Sequence, residues 1–125
     1  MKKLLVKRAT RQNSKAWGHE IHWAMNDKYF GKILHIGRMK SISKRYHNAM
    51  DKTIYVLNGV LIVETEAEFG KQKSTLVLRE GESMRIQPKT IHRLSAPIEG
   101  HVNLIEVSTP QSDDVIKLLD GYDGS

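Results

Sequence analysis

The sequence predicts a single all-β domain, an antiparallel sandwich or barrel carrying a short C-terminal helix. Three observations lead there. From about residue 20 onward, runs of four to seven residues rich in β-branched and apolar side chains alternate with turn signals. Helical periodicity occurs once, near the C-terminus. The 125 residues suffice for one core, and with no cysteine that core must form without disulfides or thiolate-bound zinc.

The elements follow in chain order. Residues 21–24 form the first candidate strand, ahead of an Asn26-Asp27 turn, and residues 32–36 form the second, after Gly31. Residues 53–57 and 60–65 flank Asn58-Gly59. Both turn residues accept positive φ, so this spacing predicts a tight type I′ hairpin. Further strands are expected at 74–78, 83–86, 91–95 and 102–108, punctuated by Glu80-Gly81, Gln87-Pro88 and Glu99-Gly100. Residues 113–119 place Val115, Ile116, Leu118 and Leu119 at helical spacing behind an acidic first turn, which predicts a terminal helix docked on the barrel. The sequence has no internal repeat, low-complexity tract or linker.

Lys and Arg number 20 against 14 Asp and Glu, a formal charge of +6. Residues 1–15 hold Lys2, Lys3, Lys7, Arg8, Arg11 and Lys15 without an acid, so the other 14 bases balance the 14 acids. The chain thus divides into a basic N-terminal arm, residues 1–15, and a neutral domain, residues 16–125. A basic arm can touch nucleic acid or anionic lipid. This one has no aromatic residue to stack bases and no RNA motif follows it, so nucleic-acid binding ranks below a solvated tail. The apolar run Leu4-Leu5-Val6 stops at Lys7, and no stretch approaches the ~20 apolar residues of a membrane span. A cytoplasmic protein with no membrane partner is expected.

Five stretches carry a family resemblance: Trp17-Gly18-His19-Glu20, YFGKILHI (29–36), SKRYHNAMDKTIYVLNG (43–59), GESMRIQPKTIHRL (81–94) and IEVSTP (105–110). Together, over about residues 15–122, they resemble a small cupin of the type found as the C-terminal domain of type II mannose-6-phosphate isomerases. The resemblance implies a double-stranded β-helix, the jelly-roll way of closing an antiparallel sheet. It implies a place in carbohydrate metabolism or polysaccharide biosynthesis, and a homodimer, which the sequence allows through an N-terminal strand. Where the site is intact it also implies a divalent metal inside the barrel, Zn, Mn, Fe or Ni.

The family's four ligand positions fall on Arg45, His47, Lys52 and His92. Only the two histidines are ligands. A guanidinium has no acceptor and does not deprotonate in proteins, and a lysine ligates only as the neutral amine. A divalent ion ~4 Å from one fixed positive charge would be repelled by ~8 kcal/mol at an effective dielectric of ~20. Met39 and Lys89 also stand where the family usually has glycine.

Two permanent cations beside two imidazoles suit an anion better than a metal. The expected function is binding of an anionic sugar-type ligand (a sugar phosphate, nucleotide sugar or sugar acid) without a cofactor. The expected ligand-binding residues are Arg45, His47, Lys52, His92 and Lys15. Lys15 begins Lys15-Ala16-Trp17-Gly18, which resembles the family's Arg/Lys-Pro-Trp-Gly entry near the sugar-phosphate site with the proline lost. Other readings stay open. Arg45 and Lys52 would point outward in a barrel that has lost its function, or Asp51 would replace Lys52 as a ligand across a one-residue bulge. An enzyme is the functional alternative, an aldose–ketose isomerase acting on mannose 6-phosphate with a metal on His47 and His92. His19, His22, His35 and His101 read as structural, and Trp17 and Trp23 as packing residues.

Overall fold

The structure is a computed structural model that describes Val6, residues 11–68 and residues 70–118. Among the described residues, eleven strands form two antiparallel sheets. The first sheet has the order β1 (Arg11–Lys15), β2 (Gly18–Met25), β3 (Phe30–Ile36), β10 (Val102–Ser108), β5 (Lys52–Asn58), β8 (Ser83–Ile86). The second has the order β11 (Val115–Lys117), β4 (Arg45–His47), β9 (Ile91–Ser95), β6 (Leu61–Glu66), β7 (Ser74–Leu78). From β3 onward the chain crosses between the sheets at every step except the β6–β7 hairpin, as in a jelly roll.

Strict alternation builds the interior. On β10, Val102, Leu104, Glu106 and Ser108 are buried, and on β5 so are Lys52, Ile54 and Val56. Period-two geometry points each set to one face. The apolar members meet Leu61, Val63 and Leu94 of the opposite sheet in a core that also takes in Trp17, Leu34 and Ile36. At one end the inward positions turn polar, with Lys52, Glu106, His47 and His92 all buried. That end holds the cavity described below. On the outer surface of the first sheet, Trp23 lies over Gly31, where an added Cβ would meet the indole at 2.6 Å.

Two expectations are corrected. Asn58-Gly59 does not close a hairpin, because β5 and β6 lie in different sheets. Gly59 alone is left-handed (φ 87°), and a Cβ there would approach the His101 carbonyl oxygen to 2.4 Å. The glycine therefore turns the chain across the barrel where backbones crowd. Nor do residues 113–118 form a helix. Val115–Lys117 is a strand whose residues pair with His47, Tyr46 and Arg45. Its β-branched pair Val115-Ile116 suits a strand, and the Asp114 carboxylate is spent on the neighbouring loop, where it accepts the N–H groups of Asn48 (3.0 Å), Ala49 (2.7 Å) and Met50 (2.7 Å). Leu119, at the end of that expected helix, lies outside the described residues.

The sheet also begins inside the segment read as an arm. Arg11–Lys15 pairs along its length with β2, from Arg11 opposite His22 to Lys15 opposite Gly18. The other basic residues of the arm (Lys2, Lys3, Lys7 and Arg8) lie outside the described residues. No helix among the described residues is long and apolar enough to cross a membrane.

Candidate functional site

A cavity of about 270 Å³ opens at the polar end of the barrel and brings together all five residues singled out from the sequence: Lys15, Arg45, His47, Lys52 and His92. The outward-pointing reading of Arg45 and Lys52 is thereby excluded. Lys52 is only 6% exposed, and both side chains line the cavity. The bulge reading of Asp51 fails as well. Its carboxylate turns away to Arg85, whose Nε donates to Oδ1 at 3.0 Å and whose Nη2 donates to Oδ2.

Arg45 opens β4 opposite His92 on β9. Its Nε donates to the Ser43 carbonyl (3.0 Å) and its Nη2 to the Ser43 hydroxyl (2.8 Å), which anchors one edge of the guanidinium. Burial pulls its pKa down from the ordinary value, and Glu106 and Glu20 oppose that pull. A guanidinium stays charged even so.

His47 ends β4 and His92 lies near the start of β9, with ring centroids 5.7 Å apart. Each imidazole donates its Nδ1–H to a backbone carbonyl, His47 to Asp114 (3.2 Å) and His92 to Thr90 (2.9 Å). That fixes the tautomer and leaves Nε2 as an acceptor. Both Nε2 atoms are buried without a hydrogen-bond partner among the described residues. Burial first, and the charge of Lys52 second, push His47 down to about 4 and His92 well below the ordinary histidine range. At neutral pH both rings are uncharged.

Sequence reasoning missed the partner of Lys52. Glu106 on β10 is buried, and its Oε1 lies 3.2 Å from Lys52 Nζ. Burial raises its pKa, but Lys52 and then Lys32 outweigh that, so the net direction is down and the carboxylate is ionised. The signal was present in the alternation: a glutamate in step with Val102 and Leu104 must face inward. Lys32, Lys117 and Glu20 also line the cavity and were not singled out. Of the four histidines read as structural, His19, His35 and His101 form a ring ladder with centroids 4.8 Å apart at each step, and His22 pairs with Glu20 at 2.8 Å. Trp17 is buried in the core, as a packing residue should be, and Trp23 is 47% exposed.

The divalent metal that the resemblance implies does not fit these residues. Among the described residues no three His, Asp or Glu side chains converge closely enough to hold an ion. Two imidazole lone pairs are present, but the ammonium of Lys52 faces the same cavity, and its repulsion of ~8 kcal/mol at ~4 Å outweighs what two imidazoles usually offset.

Comparison with known proteins agrees with the architecture. A family model described as the C-terminal region of mannose-6-phosphate isomerase matches residues 5–120. No curated protein sequence matches the chain. Among solved structures, the capsular polysaccharide assembling protein CapF of Staphylococcus aureus superposes with a TM-score of 0.78 at 11% identity, over 88% of this chain and 34% of that one. An oxalate decarboxylase variant from Bacillus subtilis gives 0.76 at 14%, over 87% and 30%. KdgF from a Halomonas species gives 0.71 at 18%, over 90% and 97%. The chain therefore spans about a third of the CapF and oxalate decarboxylase chains and nearly all of KdgF. At these identities the likeness is one of fold, that of a cupin.

Proposed function

The chain belongs to the family of mannose-6-phosphate isomerase C-terminal domains, and on that premise we propose that it binds an anionic, hexose-sized ligand in the barrel without a metal. The observation that carries this reading is an imbalance of partners. Each acid on the cavity wall is already engaged: Glu20 by His22, Glu106 by Lys52, and Asp114 by three backbone N–H groups. Four cations lack a carboxylate at contact distance, although Lys15 and Lys32 attract Glu20, and Lys32 and Arg45 feel Glu106, at longer range. Lys15, Lys32, Arg45 and Lys117 reach the cavity from four strands, and none forms an ion pair among the described residues.

Gathering like charges around a partly enclosed space is unfavourable unless an anion enters it. The free edge of Arg45 is suited to a bidentate contact with a carboxylate or phosphate. Size narrows the choice. At ~30 Å³ per water, the cavity of about 270 Å³ holds about nine waters. That is the scale of one hexose ring with a charged substituent, so a sugar phosphate or sugar acid is favoured over a nucleotide sugar.

Calorimetric titration with D-mannose 6-phosphate, D-gluconate and uncharged D-mannose, all in EDTA, tests the reading. At least one of the two anions is expected to bind and mannose is not. Arg45→Met should weaken binding by roughly 10–150-fold, the worth of one charge-assisted hydrogen bond. Mannose binding as tightly as both anions would overturn the proposal.

A second reading, an aldose–ketose isomerase, has one observation in its favour. Two imidazole lone pairs beside fixed cations offer a base and an electrophile for proton transfer through an enediol. An imidazole held at about 4 is a weak base at neutral pH, which ranks this reading second. Metal-independent turnover of mannose 6-phosphate in a coupled assay, abolished by Arg45→Met, would reverse the ranking.

A further inference from the structure

The outer face of the six-stranded sheet is apolar over its centre. Leu34, Ile54, Val56, Leu104 and Glu106 face the interior, so alternation sends their strand neighbours outward. Register sets those neighbours in rows. Ile21, Ile33, Ile105 and Tyr55 stand side by side on β2, β3, β10 and β5, and next to them run Gly31 beneath the Trp23 indole, Val107 and Thr53. Trp23, Tyr55, Leu57 and Val107 are 47%, 42%, 41% and 44% exposed. A third row is polar and bonded within itself. The His19 ring stacks on His35, whose Nδ1 donates to Asn103 Oδ1 (2.7 Å), and Asn103 Nδ2 donates to Asn58 Oδ1 (2.7 Å). Among the described residues of these rows the one charged side chain is Arg85, and Asp51 pairs with it. The five-stranded sheet instead carries the ion pair Glu64–Arg93 and the hydrogen bond Ser41–Ser95 at the centre of its outer face. Monomeric proteins rarely leave a contiguous apolar patch in water without a use for it.

We infer that this face is the contact between two copies of the chain, packed sheet against sheet about a two-fold axis. The apolar rows are centred on Ile33 and Ile105, which lie on β3 and β10, the middle pair of the six strands. An axis in the contact plane along those two strands lays β2 of one copy over β5 of the other. Trp23 then meets Tyr55 of the partner subunit, and the symmetry repeats that contact. The area is sufficient. Six strands about 4.8 Å apart, seven residues long at the centre, give a flat footprint of roughly 600 Å² per copy. The pair thus buries about 1,200 Å², the lower bound of specific interfaces. Charge also selects a second copy. With Arg85 already paired, a nucleic acid, an anionic membrane or a charged peptide finds nothing on this face to neutralise, whereas another copy brings no charge that needs it. Gln12 and Ser14 on β1, with Ser83 and Arg85 on β8, supply the polar rim. The dimer that the sequence allows through an N-terminal strand is thereby placed on the sheet face, with β1 at its margin. The face lies outside the barrel, so its use is independent of what enters the cavity.

Analytical ultracentrifugation of the full chain between ~1 and ~200 µM tests it. Wild type is expected to dimerise with a micromolar dissociation constant, in keeping with the small footprint. Tyr55→Lys and Val107→Lys each put two like charges into the apolar centre and should weaken association at least ~100-fold. Val77→Lys, at a comparably exposed position on β7 of the other sheet, should leave it unchanged. Circular dichroism melts show which variants fold. A wild type still monomeric at ~200 µM, or a dimer that both substitutions leave intact, would overturn the inference. So would a chain lacking residues 1–10 that dimerises where the full chain does not, which would make that segment the occupant of the face.

Both lysine substitutions sit on strands, so a measurement on the wild type stands beside them. Trp17 is buried in the core, Trp23 is exposed, and the chain has no other tryptophan. Fluorescence should therefore shift to the red on dilution through the dissociation constant, as Trp23 passes from the contact into water, and iodide should quench the monomer more than the dimer. Emission and quenching that stay constant while sedimentation reports dissociation would place the contact elsewhere and refute the inference.

Discussion

Replacing Lys52 by methionine keeps most of the side-chain volume and deletes one charge of a buried pair. The structure sets the size and the pH dependence of the effect. At the 3.2 Å separation of Lys52 Nζ and Glu106 Oε1, the Coulomb attraction is about 5 kcal/mol at an effective dielectric of ~20. Breaking one side of a buried pair usually costs about 3–5 kcal/mol. Glu106 has an escape, because it can take up a proton. Carrying a carboxyl of ordinary pKa ~4.3 neutral at pH 7 costs about 3.7 kcal/mol, which caps the loss. At pH 5 the same escape costs only about 1 kcal/mol.

The sign follows. In wild type, Glu106 is depressed by Lys52. In Lys52→Met the burial contribution dominates, so its folded pKa rises above the unfolded value. Stability is then lost as pH climbs above ~4, by about 1.4 kcal/mol per unit until the raised pKa is reached. Urea denaturation at pH 5, 6 and 7 should show a deficit growing from about 1 to about 3–4 kcal/mol. At pH 7 this amounts to roughly 10–15 °C in melting temperature for a domain of this size. Lys52→Met/Glu106→Leu should recover most of it and abolish the pH dependence. A deficit below about 1 kcal/mol that is the same at all three pH values would refute the buried pair as described.

Two further predictions concern strained turns and the pH response of the site. Met39 and Lys89 adopt left-handed backbone (φ 63° and 66°) at the two positions where the family resemblance places glycine. Lys89→Gly and Met39→Gly should each stabilise by about 0.5–1 kcal/mol in urea denaturation, the relief of a left-handed side chain less the entropy of glycine. Destabilisation by either would show that the side chain contributes more than the strain it causes. The second is a pH effect in wild type. His47 is held at about 4 by burial and then by Lys52, whereas the unfolded chain protonates near ~6.5. Between those values the unfolded state binds more protons, so stability should fall from pH 6.5 to pH 4, by on the order of 3 kcal/mol for this residue, and be insensitive to it on either side. In His47→Gln that part of the slope should vanish.

Much of the fold was legible because its long strands obey simple alternation. The boundaries expected at 74–78, 83–86, 91–95 and 102–108 coincide with β7, β8, β9 and β10. The elements that escaped are short or polar. β1 reads RQNSK, and β4 and β11 have three residues each. Their strand character comes from the neighbour they pair with, which no local pattern encodes. Asn58-Gly59 carries hairpin chemistry, yet the sheet to which the chain crosses is decided by long-range packing. In the site, the two-residue spacing of Arg45 and His47 and the motif position of His92 were enough to gather the right residues. Which way Lys52 points, and that Glu106 waits for it from β10, depends on bringing distant strands together.

In the proposed function the cavity takes an anionic sugar-type ligand through its own cations, without a metal. The most direct test is one affinity measured twice, for D-mannose 6-phosphate or D-gluconate, whichever binds, on protein stripped by EDTA and on the same protein resupplied with zinc or manganese. The two affinities are expected to agree within about twofold, a difference of about 0.4 kcal/mol. Binding that appears only after the metal is restored would contradict it.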